Sequence, residues 1–418
     1  MLELLRQRNF ALLWFGGLIS FIGDWMTLIA LPIYIYNLTG SVLATGLMWM
    51  SAMLPSVLLG SVAGVYVDRW DRRVTMVVAN LLTAPLMLVL LVVESPDQVW
   101  IIYVVAILKS TIGNFMGPAE NALLPKLVGE EHLTIANALN TLNNTLSRLI
   151  GPAIGGAVFA YLGFTYSVLL DAATFLVAGI MIGLINAPRS VTRAEVDGSS
   201  DEAKPHVWRE LMDGLRLVGA NRLILSLFLF MSVAMLAEGF FEVLVIPYIQ
   251  DVLKGGSQEL GWLFTTQAVG GLLGGLLIGR LGKRVNPAHL IGSGIFVLGL
   301  MTVAIFNVPI FSLDLLFFLA VGPAVVGLQT GTQTLLQLNV EDRYRGRVFG
   351  SFGTIVSLAI LTGQLVASLA GGTTGPIPLM TAGGILTMAT GVVAFIMLAR
   401  MLNIRASQTQ PTLKIEES

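Results

Sequence analysis

The chain has 418 residues, of which 55% are hydrophobic and 12% charged, where a soluble domain carries roughly 25% charged residues. A net charge of -1 gives no basis for a nucleic-acid partner, and the absence of cysteine excludes both a disulfide framework and a thiolate metal site. Uncharged runs such as Val74 to Val93 reach the roughly 20 residues a helix needs to cross a bilayer core, which predicts a polytopic membrane protein. Inside lipid every backbone polar group must be paired within its own segment or in a closed barrel. No run alternates apolar and polar residues as barrel strands do, so the spans are expected to be helices.

In chain order the apolar runs predict spans over residues 10–36, 41–67, 74–94, 98–122, 134–162 and 165–187. A second set covers 222–250, 258–280, 287–308, 310–338, 346–372 and 376–402. The first run is too long for a signal sequence and lacks a small-residue cleavage site, so it reads as a retained span. The twelve helices divide the chain into a six-helix bundle over 1–187, a linker over 188–221, a second six-helix bundle over 222–402 and a polar tail over 403–418. The linker begins with a polar, disorder-prone stretch and then places Val207, Trp208, Leu211, Leu215 and Val218 on one face of an amphipathic helix. Of the 24 Lys and Arg, all but Lys109, Arg148 and Lys254 fall in the N-terminus, alternate loops, the linker and the tail. Basic residues accumulate in cytoplasmic loops, so both termini are expected in the cytoplasm of a cell that carries the chain in its plasma membrane.

The two halves resemble each other. Gly64 to Val74, reading GVYVDRWDRRV, aligns with Gly275 to Val285, GLLIGRLGKRV, at an offset of 211 residues. Leu31-Pro32 matches Ile246-Pro247 at an offset of 215. A duplicated six-helix unit accounts for both, and such repeats place substrate sites at the interface of the halves near the bilayer midplane.

Three motifs narrow this architecture. GVYVDRWDRR resembles the loop 2–3 signature of the major facilitator superfamily, with Asp71 where that family usually has Gly. Ser147-Arg-Leu-Ile-Gly151-Pro152-Ala-Ile-Gly155-Gly156 resembles its helix 5 exporter motif, with Ser147 in place of the first Gly. Lys109 with Gly113 resembles its helix 4 motif, with Lys for Arg. Together with GDWMTLIALP, LLDAATF and YRGRVFG, the chain looks closest to the drug-efflux branch that includes macrolide exporters. The resemblance implies an all-α membrane fold of two pseudo-symmetric six-helix bundles, and a secondary transporter that is not an enzyme. It also implies export, through helix 5, and helix 11 as the partner of the acid in the loop motif.

On that reading Gly64, Asp68, Arg69, Arg72 and Arg73 form a gate. Asp68, ending helix 2, can accept hydrogen bonds from a helix N-terminus and pair with Arg345 or Arg347 at the start of helix 11. Glu120 is expected to neutralise Arg72 or Arg73. The second copy has Gly279 in place of the acid, so the latch is one-sided. The Gly-Pro motif of helix 5 (Gly151, Pro152, Gly155, Gly156) also has a packing role, since Gly lets helices approach closely and Pro bends the span.

The interior charges are Asp24, Lys109, Arg148, Asp171, Glu238 and Glu242. A charge at the bilayer centre costs about 2.5–3.5 kcal/mol even on the mildest scale, so each needs a partner or a function. Four acids face two bases, which leaves acids to be protonated or to face water, the requirement for a proton carrier. Asp24 and Arg148 lie at depths that allow a contact, with Lys109 at similar depth. Glu238 and Glu242 share a helix face. Asp24 and Glu238 are the leading coupling residues, with Lys109 and Arg148 responding to them. Asp171 falls nearer the outer end of its span, where it is also read as a structural partner. Trp25, Tyr34, Asn114, Asn140, Asn144, Gln267, Gln329 and Gln333 are expected to line a cavity suited to amphipathic compounds. The expected partners are membrane lipids, a small-molecule substrate and protons, with no cofactor, no metal and a monomeric chain; no ATP-binding loop occurs. Export of a lipid or siderophore, or uptake of a small solute, is the alternative on the same scaffold, and a receptor, scaffold or channel is the alternative outside it.

Overall fold

A computed structural model describes residues 2–186, 221–281 and 285–408, together with 212, 214 and 216–219. The described residues are helical and contain no strand. The long helices are α1 (Arg8–Thr39), α2 (Val42–Arg69), α3 (Arg72–Leu88) and α4, which runs over Val99–Gly113 and resumes over Met116–Val128. A stretch over Leu133–Gly183 is broken at Gly163, whose φ of 82° is open to glycine but strained for other residues, so it comprises α5 (133–162) and α6 (164–183). The remainder are α7 (Arg222–Pro247), α8 (Ser257–Leu281), α9 (Pro287–Asn307), α10 (Phe311–Asn339), α11 (Asp342–Thr374) and α12 (Pro376–Gln408). Among the described residues 11 stretches are long and apolar enough to cross a membrane, and the break at Gly163 divides one of them, which makes the expected twelve.

Local chemistry sets the boundaries. Ser41 caps α2 by accepting from the Ala44 amide at 3.2 Å, and Asp71 caps α3 by accepting from Val74 at 3.0 Å. Gly40, in the left-handed region at φ 59°, ends α1. Asn286 caps α9, which then starts on Pro287. Leu58, Trp100, Leu276 and Leu369 each expose 60% or more of their surface, the pattern of helices whose outer faces meet lipid rather than water.

The described residues fall into two compact units that do not follow the halves of the sequence. Of these, the first takes 2–186, 242–268 and 364–375; the second takes the described residues of 212–241, 269–363 and 376–408. In the first unit, glycines hold the close contacts: a Cβ on Gly155 would lie 2.6 Å from the Met26 Cα, and Gly156 abuts the Ser257 carbonyl. Ser257 in turn donates to the Gly156 carbonyl at 3.0 Å. Tyr36 donates to the Asp251 carboxylate, and Gln250 Nε2 donates to Asn37 Oδ1 at 2.7 Å. Residues 36 and 251 are 215 apart, the offset of the internal repeat, so this bond joins equivalent positions of the two halves. In the second unit, α9 and α12 meet closely: a Cβ on Gly292 would lie 2.6 Å from the Phe395 Cβ.

Two features depart from expectation. Helix α4 is interrupted at Asn114 and Phe115, and α12 continues to Gln408, into the stretch expected to be tail. Residues 216–219 of the expected amphipathic segment are helical; most of that segment and all of 187–211 lie outside the described residues.

Candidate functional site

Three charged side chains from three helices meet inside the first unit. Asp24 and Thr27, three apart on α1, face Asp171, Thr174 and Phe175 on α6, and Lys109 reaches both from α4. Lys109 Nζ lies 2.8 Å from Asp24 Oδ1 and 3.5 Å from Asp171 Oδ2. Its ammonium sits 5.2 Å from the centre of the Phe175 ring. Thr27 donates to Asp171 Oδ2, and Thr174 donates to the Asp171 carbonyl at 2.7 Å. Asp171 is fully buried, whereas the Asp24 side chain is 39% exposed. Gly23 allows the approach of α1 to α6: a Cβ there would lie 2.5 Å from Asp171 Oδ1 and closer still to Thr174 Oγ1.

The arithmetic of this cluster is one base against two acids. With both carboxylates ionised it carries an excess negative charge in an apolar bundle; one added proton balances it. Buried charges are tolerated where geometry and hydrogen bonds complete their pairing, and here the hydroxyls of Thr27 and Thr174 supply part of that completion. Of the two acids, Asp24 is the accessible one.

The cluster stands at one end of a recess of about 250 Å³ enclosed by α1, α3, α4 and α6. Asn80 and Thr83 line it from α3, and Glu120 lines it from α4, eleven residues beyond Lys109. Phe21, Met76, Met116 and Phe175 give it apolar walls.

Residues 2–417 match the family described as "Transmembrane secretion effector", a branch of the major facilitators. The chain belongs to the major facilitator superfamily. It is therefore a multi-pass membrane transporter and not an enzyme. Macrolide efflux protein A of Streptococcus pyogenes is 28% identical over 374 residues, covering 86% of this chain and 89% of that protein. Multidrug efflux pump Tap of Mycolicibacterium fortuitum is 28% identical over 398 residues, covering 90% of each. Among solved structures, the nucleoside transporter NupG superposes with a TM-score of 0.72 at 14% identity, covering 94% of this chain and 99% of that one. A bacterial homologue of the lysosomal transporter Spinster, inward-facing and unoccupied, superposes with a TM-score of 0.67 at 16% identity over 94% and 95%. At these identities the structural likeness fixes the fold.

Within this major facilitator, Asp24 pairs with Lys109 and not with Arg148. The reason is helical phase. Ser147, Gly151 and Gly155 form the face of α5 that packs inward, with Gly151 against Trp25 and Gly155 against Met26. Arg148 is rotated about 100° from that face and is exposed. Asp171, expected toward the far end of its span, lies within reach of Lys109. On α7, Glu242 accepts from Gln364 Nε2 at 2.6 Å within the first unit, and Glu238 is exposed in the second.

The superfamily loop motif is only partly described. Gly64 and Asp68 lie in α2, but their side chains are outside the described residues, so the Asp68 latch is not among the described contacts. Arg69 is exposed, Asp71 caps α3, and Arg73 donates to the Gly183 carbonyl at the end of α6. Glu120 does not neutralise Arg72 or Arg73; it accepts from Asn140 Nδ2 at 2.9 Å and faces the recess, because residues 109, 113, 117 and 120 share one side of α4. Arg345 pairs with Asp342 at 2.8 Å through Nη1 and donates to the Gln337 carbonyl at 2.9 Å through Nη2, both within the second unit. The backbone of Arg347 approaches Gly214 so closely that a Cβ there would lie 2.7 Å from its carbonyl oxygen.

The expected lining residues also separate. Trp25 is half-buried, 6.4 Å from the Phe264 ring. Tyr34 is a packing residue, stacked at 3.7 Å on Phe164 and donating to the Val93 carbonyl, rather than a cavity residue. Asn114 and Asn144 donate to carbonyls one turn back, at 2.9 and 3.1 Å, as polar groups in apolar helices commonly do. Gln267 is half-buried in the first unit; Gln329 and Gln333, one turn apart on α10, are exposed in the second. Gly23, Thr27, Asn80 and Gln364 carry no signal in a single sequence beyond being small or polar in apolar spans.

Proposed function

We propose that this transporter exports amphipathic small molecules, macrolides among them, by alternating access in exchange for protons. The observation that carries the reading is the cluster of Asp24, Lys109 and Asp171, in which two acids share one base at 2.8 and 3.5 Å. A proton arriving on Asp24 releases Lys109 to Asp171, and a proton leaving Asp24 restores the first pair. Coupling follows if the two pairings favour different conformations, since a ligand shifts an equilibrium only by its differential affinity for the two states. Asp24 is the carrier, Asp171 the fixed counter-charge and Lys109 the responder. The relatives named for macrolide and multidrug efflux support the class of substrate and the outward direction. The distribution of basic residues supports placing both termini in the cytoplasm. The experiment is erythromycin transport into proteoliposomes driven by an imposed pH gradient. The native chain accumulates the drug and Asp24→Asn does not; equal accumulation by both removes Asp24 from the coupling.

A further inference from the structure

The recess beneath the charge cluster has a second carboxylate with no assigned role. Glu120 lies eleven residues beyond Lys109 on α4, on the other side of the break at Asn114 and Phe115. Its partner is the amide of Asn140, and among the described residues no cation is paired with it. Among the described residues, the only ammonium lining the recess belongs to Lys109 and is committed to Asp24 and Asp171. Helices α3 and α6 bring no charged group to the lining, only Asn80, Thr83 and apolar side chains.

Asn80 supplies an independent observation. It is 1% exposed and lines the recess. Its Nδ2 donates to the Met76 carbonyl at 2.8 Å, but its Oδ1 is buried with no hydrogen-bond partner. A buried acceptor left unpaired is costly, so such an atom marks a place for a donor. The acceptors uncommitted in this recess are Glu120 and Asn80 Oδ1, beside the Ser20 hydroxyl, which can donate or accept. The walls around them are Met76, Met116 and Ile112, suited to alkyl groups. The volume of about 250 Å³ lies below the range of roughly 300–1,000 Å³ that encloses a drug-sized ligand. It takes a fragment of such a molecule.

We infer that this recess is a subsite for the protonated amine of an amphipathic substrate, with Glu120 as the carboxylate that receives the ammonium N–H. The inference rests on the export reading above and adds the chemical class of the group recognised. Asn140 holds the Glu120 carboxylate in place, the N-alkyl groups lie on the methionine walls, and Asn80 accepts a hydrogen bond from a neighbouring hydroxyl. The space is kept by Gly113 and Gly117, where an added Cβ would meet nothing within 4 Å.

The test is efflux of erythromycin, which carries one protonated dimethylamino group on a sugar, beside erythromycin N-oxide, which is neutral overall. Both are measured in cells expressing the full chain, with membrane levels matched by immunoblot. Glu120→Gln is expected to lower erythromycin export by about tenfold, the effect of roughly 1.4 kcal/mol, while leaving N-oxide export unchanged. Gly117→Leu, whose Cβ meets nothing within 4 Å and whose side chain occupies recess volume, is expected to lower export of both. Native-rate export of erythromycin by Glu120→Gln, or equal loss of both compounds in that variant, overturns the subsite and leaves the export reading standing. If the native chain exports neither compound, the export reading falls and takes the subsite with it.

Discussion

Replacing Lys109 by Met removes the single base that Asp24 and Asp171 share. Asp171 is fully buried, so it cannot recover its lost partner by turning to solvent, whereas the Asp24 side chain, 39% exposed, can do so in part. Breaking a buried pair by removing one partner costs about 3–5 kcal/mol, because the remaining charge is stranded. Replacing Asp171 by Asn is a different perturbation. It leaves Lys109 paired with Asp24 at 2.8 Å and retains an acceptor for Thr27, so its cost is about 1 kcal/mol. The double variant Lys109→Met/Asp171→Asn strands no fully buried charge and should recover roughly 2 kcal/mol relative to Lys109→Met alone. The assay is equilibrium unfolding of all four proteins by SDS in mixed micelles, read by tryptophan fluorescence. Additive costs, with the double variant less stable than Lys109→Met, would refute the shared-base account.

Two further outcomes are expected. Gly23→Ala places a methyl group 2.5 Å from Asp171 Oδ1, overpacking that costs about 1–3 kcal/mol and separates α1 from α6; unfolding in the same micelles measures the loss, and native stability would mean that the helices do not meet there. Asp68→Asn should lower erythromycin transport by about tenfold, the effect of roughly 1.4 kcal/mol in a barrier, with membrane insertion intact; undiminished transport would reduce the loop motif to a topological signal.

The helices were legible because lipid leaves few choices: an apolar run of span length has to be a helix, and charge has to collect between runs. The break at Gly163 was also readable, since the run over residues 134–187 is too long for one crossing. The pairing of the interior charges was not. It depends on the rotation of each helix about its axis, which a nearly uniform apolar sequence does not encode. Thus Arg148 and Lys109 were equally eligible partners for Asp24, and packing of Gly151 against Trp25 turned α5 so that Lys109 won. Asp171 stays near the end of α6 that follows the break at Gly163, bonded to Thr27, and the long stem of Lys109 spans the remaining axial offset to it. Glu120 falls two residues from the end of the span expected over 98–122, which makes it eligible as a partner for the loop arginines. The shared face of residues 109, 113, 117 and 120 places it in the recess instead. The latch at Asp68 remains a reading of the motif, while Asp71, the departure from that motif, has an evident role as the cap of α3.

The central claim is that protonation of Asp24 couples substrate movement to the proton gradient. Proteoliposomes containing native protein or Asp24→Asn separate the two halves of that claim when gradient-driven erythromycin accumulation and erythromycin counterflow are measured side by side. The account predicts that the native chain performs both, and that Asp24→Asn keeps counterflow while losing gradient-driven accumulation. Gradient-driven accumulation by Asp24→Asn at the native rate would contradict it.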